Sequence, residues 1–195
     1  MPTPATSAKP GRTLVTLLGW VCGLMAAAQA VAPGLAQAQA DTALARQVFA
    51  EVNKRLPALE RIRFTAKRPG ADYPAEGKAW AEAGVIQKIE IIERDDSGDV
   101  VSEFYFSAGA LIFVYEAIQG FADAGTSKKQ VTVGEERFYF QGGQLFKWRS
   151  GMGKNATDNP PTTTDFDQAG RSRLAASNAF QAAAQKALSA AAKSK

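Results

Sequence analysis

Phe104-Tyr105-Phe106-Ser107-Ala108-Gly109-Ala110-Leu111-Ile112 returns 34 residues later as Phe138-Tyr139-Phe140-Gln141-Gly142-Gly143-Gln144-Leu145-Phe146. Both segments read Phe-Tyr-Phe, two linking residues, glycine, one residue, leucine. Aromatic side chains favour the pleated strand, and a glycine two or three residues on can take the positive φ that a tight hairpin turn demands. Gly109 and Gly143 are therefore predicted at positive φ in hairpin turns. Two copies are too few for a solenoid or propeller, so they are read as two hairpins of one antiparallel sheet.

The chain around them fits such a sheet. Arg61–Ala66 alternates and is bounded by Arg68-Pro69-Gly70. Lys78–Glu82 and Val85–Arg94 are candidate strands, with Val85, Ile89 and Ile91 on one face. Asp95-Asp96-Ser97-Gly98-Asp99 is turn chemistry leading into Val100–Phe106. Before the sheet, Leu44, Val48, Phe49, Val52 and Leu56 mark one face of a helix over 41–56, which Pro57 ends. After it, 151–164 reads as a loop. Asp165, with Gln168 three residues on, is read as the N-cap of an Ala-rich helix over 165–195 with a stripe of Phe166, Leu174, Phe180, Ala184 and Leu188.

Over roughly residues 76–150 the paired aromatic hairpins resemble those of uncharacterised bacterial periplasmic or secreted proteins that carry aromatic-aromatic-Phe, short turn, Gly, one residue, Leu. They are only distantly similar to MORN-type repeats, whose glycine pattern differs. The resemblance brings no functional residue with it.

The first forty residues read as a secretory signal peptide. Lys9 and Arg12 form a basic start, Leu14 through Met25 an apolar core, and Ala36-Gln37-Ala38 and Ala38-Gln39-Ala40 are small-residue cleavage motifs, with the cut placed after Ala40. The apolar stretch is short of the roughly 20 residues of a spanning helix, and Trp20-Val21 before Cys22 is a poor lipid-attachment context. The mature domain is thus residues 41–195, periplasmic or secreted, with no stable membrane span after cleavage.

Of 23 basic and 19 acidic residues in the whole chain, only Lys9 and Arg12 leave with the leader, so the mature charge is a formal +2. Nucleic-acid binding gains no support from a charge so close to neutral. Cys22 is the only cysteine and leaves as well, so the domain holds together by packing without disulfides. There is no histidine. Ser-His-Asp, Cys-His and His-based metal sites are therefore excluded within this chain, leaving carboxylate pairs, a Ser/Lys pair or an oxygen-only cation site as formal possibilities.

Asp95, Ser97 and Asp99 are spaced like the first ligands of a calcium loop, but Val100 and Phe106 stand where glycine and glutamate are needed. The segment is read as an acidic turn. Glu90, Glu93, Glu103, Glu116, Glu135 and Glu136 are read as solvent-side strand residues rather than catalytic carboxylates, and a cross-strand ion pair is expected between Glu103 and Arg137 if the two hairpins lie side by side. With two-residue turns and simple alternation, Phe104 and Phe106 lie opposite Phe113 and Leu111, and Phe140 opposite Leu145; a bulged turn at Ser107-Ala108-Gly109 would instead shift the first register. That face is core. The other face then receives Tyr105, Ile112, Val114, Tyr139, Phe146 and Trp148, the candidate ligand- or partner-binding residues. If both terminal helices pack on the Phe face, this second face is a recognition surface; if one helix covers each face, all of it is core.

The sequence thus predicts an α+β domain in which an antiparallel meander of about five to seven strands is flanked by N- and C-terminal helices. The expected function is an exported, non-catalytic binding or interaction module that needs no cofactor or metal, its partner an envelope protein or a small ligand. The alternatives are a small carboxylate-dependent hydrolase and a purely structural envelope protein.

Overall fold

A computed structural model describes residues 33–95, 98–122 and 129–194. The leader core and Cys22 lie outside the described residues, as do Asp96 and Ser97 of the acidic turn. The order is α1 (Pro33–Arg55), β1 (Glu60–Ala66), β2 (Ala75–Glu82), β3 (Val85–Asp95), β4 (Gly98–Ser107), β5 (Ala110–Ala122), β6 (Lys129–Gln141), β7 (Gln144–Ser150), β8 (Thr157–Asp158) and α2 (Thr164–Lys193). All eight strands form one antiparallel sheet in which each strand pairs with the next in sequence. The α+β meander is as predicted, with more strands than the expected five to seven. The unforeseen β8 lies within the predicted 151–164 loop, where Arg149 and Ser150 pair with Asp158 and Thr157.

Three hairpins are built alike. Ala108-Gly109 (φ 49° and 80°) and Gly142-Gly143 (φ 55° and 78°) place both central residues at positive φ, and so do Ala83 and Gly84 (φ 48° and 81°). This two-residue turn carries the twist of the flanking strands. Each turn is followed by one extra residue: Gln87 between the pairs Ala81↔Ile86 and Trp80↔Lys88, Ile112 between Phe106↔Leu111 and Tyr105↔Phe113, and Phe146 between Phe140↔Leu145 and Tyr139↔Lys147. The bulge corrects the expected register. Phe104 faces Val114 rather than Phe113, and Phe138 faces Trp148. An inserted residue reverses the inside–outside alternation of the strand beyond it. Ile112 and Phe113 consequently both turn to one side, while Val114 and Trp148 change to the other.

One helix covers each face. Under α2, Ala79, Ile89, Ile91, Phe104, Phe106, Val114, Phe138 and Phe140 form the larger core with Ala176, Phe180 and Ala184 of the helix. Small helix residues allow this closeness: a Cβ on Gly170 would sit 2.8 Å from Leu145 Cβ. The N-cap lies two residues earlier than expected: it is Thr163, not Asp165, and its hydroxyl accepts from the Phe166 N–H at 3.2 Å. Asp165 and Asp167 then sit in the first turn, where the helix dipole favours negative charge.

Under α1, Ala45, Val52, Trp80, Tyr105, Ile112, Phe113 and Tyr139 form the second core. Of the predicted stripe, Val52 is buried, whereas Leu44 and Phe49 remain exposed and Ala45 takes the inward position. Pro57 follows the helix as predicted, inside a single 3-10 turn over Leu56–Ala58. The cut expected after Ala40 falls within α1.

Candidate functional site

Strand register lines up one polar row across the α1 face: Arg63, Lys78, Glu90, Glu103, Tyr115, Arg137, Arg149 and Asp158 are successive cross-strand neighbours. Tyr115 separates Glu103 from Arg137, so the ion pair expected between those two does not form; β5 stands between their strands. Glu103 instead meets Lys88, which is 3% exposed, at 2.7 Å. Lys88 also donates to Asn53 Oδ1 of α1 at 3.0 Å and lies over the Trp80 and Tyr105 rings. The Tyr105 hydroxyl donates to Glu103 at 2.5 Å and accepts from Asn53 Nδ2 at 2.9 Å. Burial, reinforced by the Glu103 charge, pushes the Tyr105 phenol well above its ordinary value. These groups satisfy one another and fasten α1 to the sheet.

Farther along the row, like charges face each other. Arg137 and Arg149 are directly opposite on β6 and β7, an arrangement that costs stability unless something offsets it. Glu135 holds Arg137, which also donates to Gly151 O at 3.2 Å. Arg149 Nε lies 2.8 Å from Asp158 Oδ1, yet its N–H direction misses that oxygen and the donor has no hydrogen-bond acceptor. The Arg149 Nη2 donates to Ala156 O. Two guanidiniums, with five donors each, thus keep unspent N–H groups side by side.

These two arginines, together with Arg46 from α1, border a cleft of about 520 Å³ whose apolar surface comes from Phe49, Phe113 and Tyr139. Phe49 packs on Tyr105 and Phe113 at 5.1 and 6.0 Å, and Phe113 on Tyr139 at 5.0 Å, so the aromatic floor is held by its own contacts. Tyr139 is 8% exposed, and its hydroxyl makes no hydrogen bond with a described residue. Burial raises its pKa, against the pull of Arg137, Arg149 and Arg46. On the rim, burial and the Glu135 carboxylate push the Tyr115 phenol up to about 12. Glu135 itself is held below the usual carboxylate value, first by the Gly153 N–H at 2.9 Å, then by the Tyr115 hydroxyl and Arg137, against the opposing effect of burial.

The six residues predicted to share one recognition face are split. Tyr105, Ile112, Tyr139 and Phe146 lie on the α1 side, whereas Val114 and Trp148 lie under α2, moved there by the bulges. Only Tyr139 of the six borders the cleft. The arrangement with both helices on the Phe face is overturned, since α1 covers the tyrosines. Sequence reasoning missed Arg46, Arg137 and Arg149 as a group. The Arg137–Arg149 pairing was readable from the second hairpin once a bulge was allowed, but Arg46 comes from a helix some ninety residues away in the chain and carries no local signal.

Each of the six strand glutamates has a partner: Glu90 with Lys78, Glu93 with Arg68, Glu103 with Lys88, Glu116 with Arg173, Glu135 with Arg137, and Glu136 with the Trp148 indole and Ser150. Among the described residues no group of three or more His, Cys, Asp or Glu side chains could hold a metal ion, and no helix is long and apolar enough to cross a membrane. No family model matches the chain, and no curated protein or solved structure compared with it shows significant similarity.

Proposed function

We propose that this protein is an exported, non-catalytic binding module that holds a small anionic ligand with an apolar body in the arginine–tyrosine cleft on the α1 face. The carrying observation is the placement of Arg137 and Arg149 directly opposite each other, joined by Arg46 and by a Tyr139 hydroxyl that has no hydrogen-bond partner among the described residues, beside an aromatic floor. Guanidinium forks suit a carboxylate or a similar planar anion, and the rings suit an apolar body. A binding role is further supported by the carboxylates beside the cleft, Glu135 and Asp158, which are committed to Arg137 and Arg149 and leave it without a free carboxylate base among the described residues. The export half of the reading rests on Lys9, Arg12 and the apolar run from Leu14 to Met25, and N-terminal sequencing of the exported form should begin at Asp41.

Titration of the purified protein with benzoate, followed by backbone amide NMR, tests the cleft. Saturable shifts are expected at residues around Tyr115, Tyr139 and Gly153, with benzyl alcohol at least about tenfold weaker. Arg46→Gln and Tyr139→Phe should each weaken benzoate several-fold and leave the thermal midpoint nearly unchanged. Equal binding of the acid and the alcohol, or affinity indifferent to both substitutions, overturns the reading.

A further inference from the structure

The two margins of the sheet are finished differently. At one, β8 pairs with the end of β7 and the Asn159 N–H donates to Trp148 O at 2.8 Å. At the other, β1 pairs with β2 along all seven of its residues, and no described strand lies beyond it. Alternate N–H and C=O groups of β1 therefore point away from the sheet, a template for one more strand. Alternation puts Ile62, Phe64 and Ala66 on the α2 side, where Ile62 meets Leu188 and Phe64 packs against the larger core. Arg61, Arg63 and Thr65 take the other side and are exposed.

A second observation concerns charge. Neither Arg61 nor Arg63 has an ion pair or hydrogen bond with a described residue. Beside Arg63 lies a cleft of about 420 Å³ whose other cations, Lys78 and Arg94, have acids of their own: Glu90 is 2.6 Å from Lys78, and Glu76 is 3.7 Å from Arg94. Arg61 and Arg63 thus carry positive charge that no described residue neutralises. A second copy of β1 paired antiparallel over its full length would set Arg63 against Arg63, and like charges directly opposite are unfavourable. The same arginines favour a strand with acids at their level. We infer that the free edge of β1 takes an extended acidic peptide as an added strand, its acidic side chains at every second position against Arg61 and Arg63 and apolar ones between, beside Ile62 and Phe64. The main chain holds the peptide, and the alternation of charge selects it.

The probe is acetyl-Thr-Val-Glu-Val-Glu-Val-Thr-amide, titrated into the purified protein and followed by backbone amide NMR. Saturable shifts are expected along β1, and alternate β1 amides should gain protection from hydrogen exchange in the saturated complex. Replacing both glutamates of the peptide by lysine should weaken binding at least about tenfold, since two attractive cross-strand pairs become repulsive. The isomer acetyl-Thr-Val-Val-Glu-Glu-Val-Thr-amide has the same charge and should bind several-fold more weakly, because adjacent residues of a strand face opposite sides. In the double variant Arg61→Glu, Arg63→Glu, both positions being exposed, the lysine peptide should become the tighter ligand while the amide spectrum away from β1 stays unchanged. Absence of a saturable shift, shifts without protection, equal binding of the two glutamate isomers, or indifference to charge reversal would overturn the inference. Shifts centred on Tyr139 would send the peptide to the arginine–tyrosine cleft instead, and dimerisation of the free protein through β1 would make a second copy the occupant; either result overturns it as well.

Discussion

Replacing Lys88 by Met isolates the charge that fastens α1 to the sheet. The side chain is 4% exposed, its ammonium is 2.7 Å from Glu103 and 3.0 Å from Asn53 Oδ1, and the same nitrogen lies 5.5 and 5.1 Å from the Trp80 and Tyr105 ring centroids. Methionine fills nearly the same volume, so the cavity contribution is small. What remains is the cost of leaving Glu103 without its cation and Asn53 without a donor. Breaking one side of a buried ion pair costs about 3–5 kcal/mol. Glu103 is 19% exposed and keeps the Tyr105 hydroxyl, so water and that bond relieve part of the penalty and the lower figure, about 3 kcal/mol, applies. Glu103→Gln should cost as much or more, because it leaves the ammonium alone in the deeper position. The double variant leaves no unpaired charge and should cost less than the sum of the two by about 2 kcal/mol. Urea unfolding of the purified proteins measures all three, and hydrogen exchange should show α1 amides losing protection before those of β3 to β6 in the single variants. A loss below about 1 kcal/mol for Lys88→Met, or additivity within about 0.5 kcal/mol, would show that the pair is hydrated in solution and does not dock the helix.

Other consequences follow from the packing and the titrating groups. A Cβ on Gly77 would lie 2.5 Å from the Phe64 ring and 2.8 Å from Ile91 Cδ1, so Gly77→Ala should cost about 1–3 kcal/mol in denaturant unfolding, with Phe64→Leu restoring part of it. Trp148 stacks on Phe138 at 5.5 Å and donates to Glu136; Trp148→Ser should lower stability by about 3 kcal/mol or more, and a loss within about 0.5 kcal/mol would place the indole at the surface. Because the folded state holds the Glu135 carboxyl below its unfolded value, its contribution is complete above the unfolded pKa of about 4.3 and disappears as pH falls through the folded one. Glu135→Gln should therefore flatten the stability-versus-pH curve below about pH 4.5, measured by thermal unfolding across pH, while an unchanged acid limb would contradict this.

Much of the architecture was legible because it is local. Glycine two or three residues after Phe-Tyr-Phe marks a turn through its backbone freedom, and Gly109 and Gly143 are at positive φ as that reasoning requires. The Ala-rich run after Asp165 and the stripe through Phe180 and Leu188 identify α2 through propensity and period, two properties that neighbouring residues carry themselves. The same local signal stands at Ala83-Gly84-Val85-Ile86, which shares glycine, one residue, aliphatic with the other two turns and joins the candidate strands Lys78–Glu82 and Val85–Arg94.

The sequence by itself determined the antiparallel hairpins, the helix at each end, the lack of disulfides in residues 41–195, and the exclusion of histidine chemistry. The tertiary structure decided which face each aromatic takes and which charges meet. One inserted residue after each turn reverses alternation, so Val114 and Trp148 join α2's core while Ile112 and Phe146 join that of α1. No periodicity within a single strand reveals such an insertion, because it exists only in the pairing with the neighbouring strand. Arg46 reaching Arg137 and Arg149, and Lys88 reaching Asn53, likewise depend on where α1 lands on the sheet. That landing is fixed by burial of Ala45 and Val52 on Tyr105, Phe113 and Tyr139, a contact between distant segments that neither segment encodes alone.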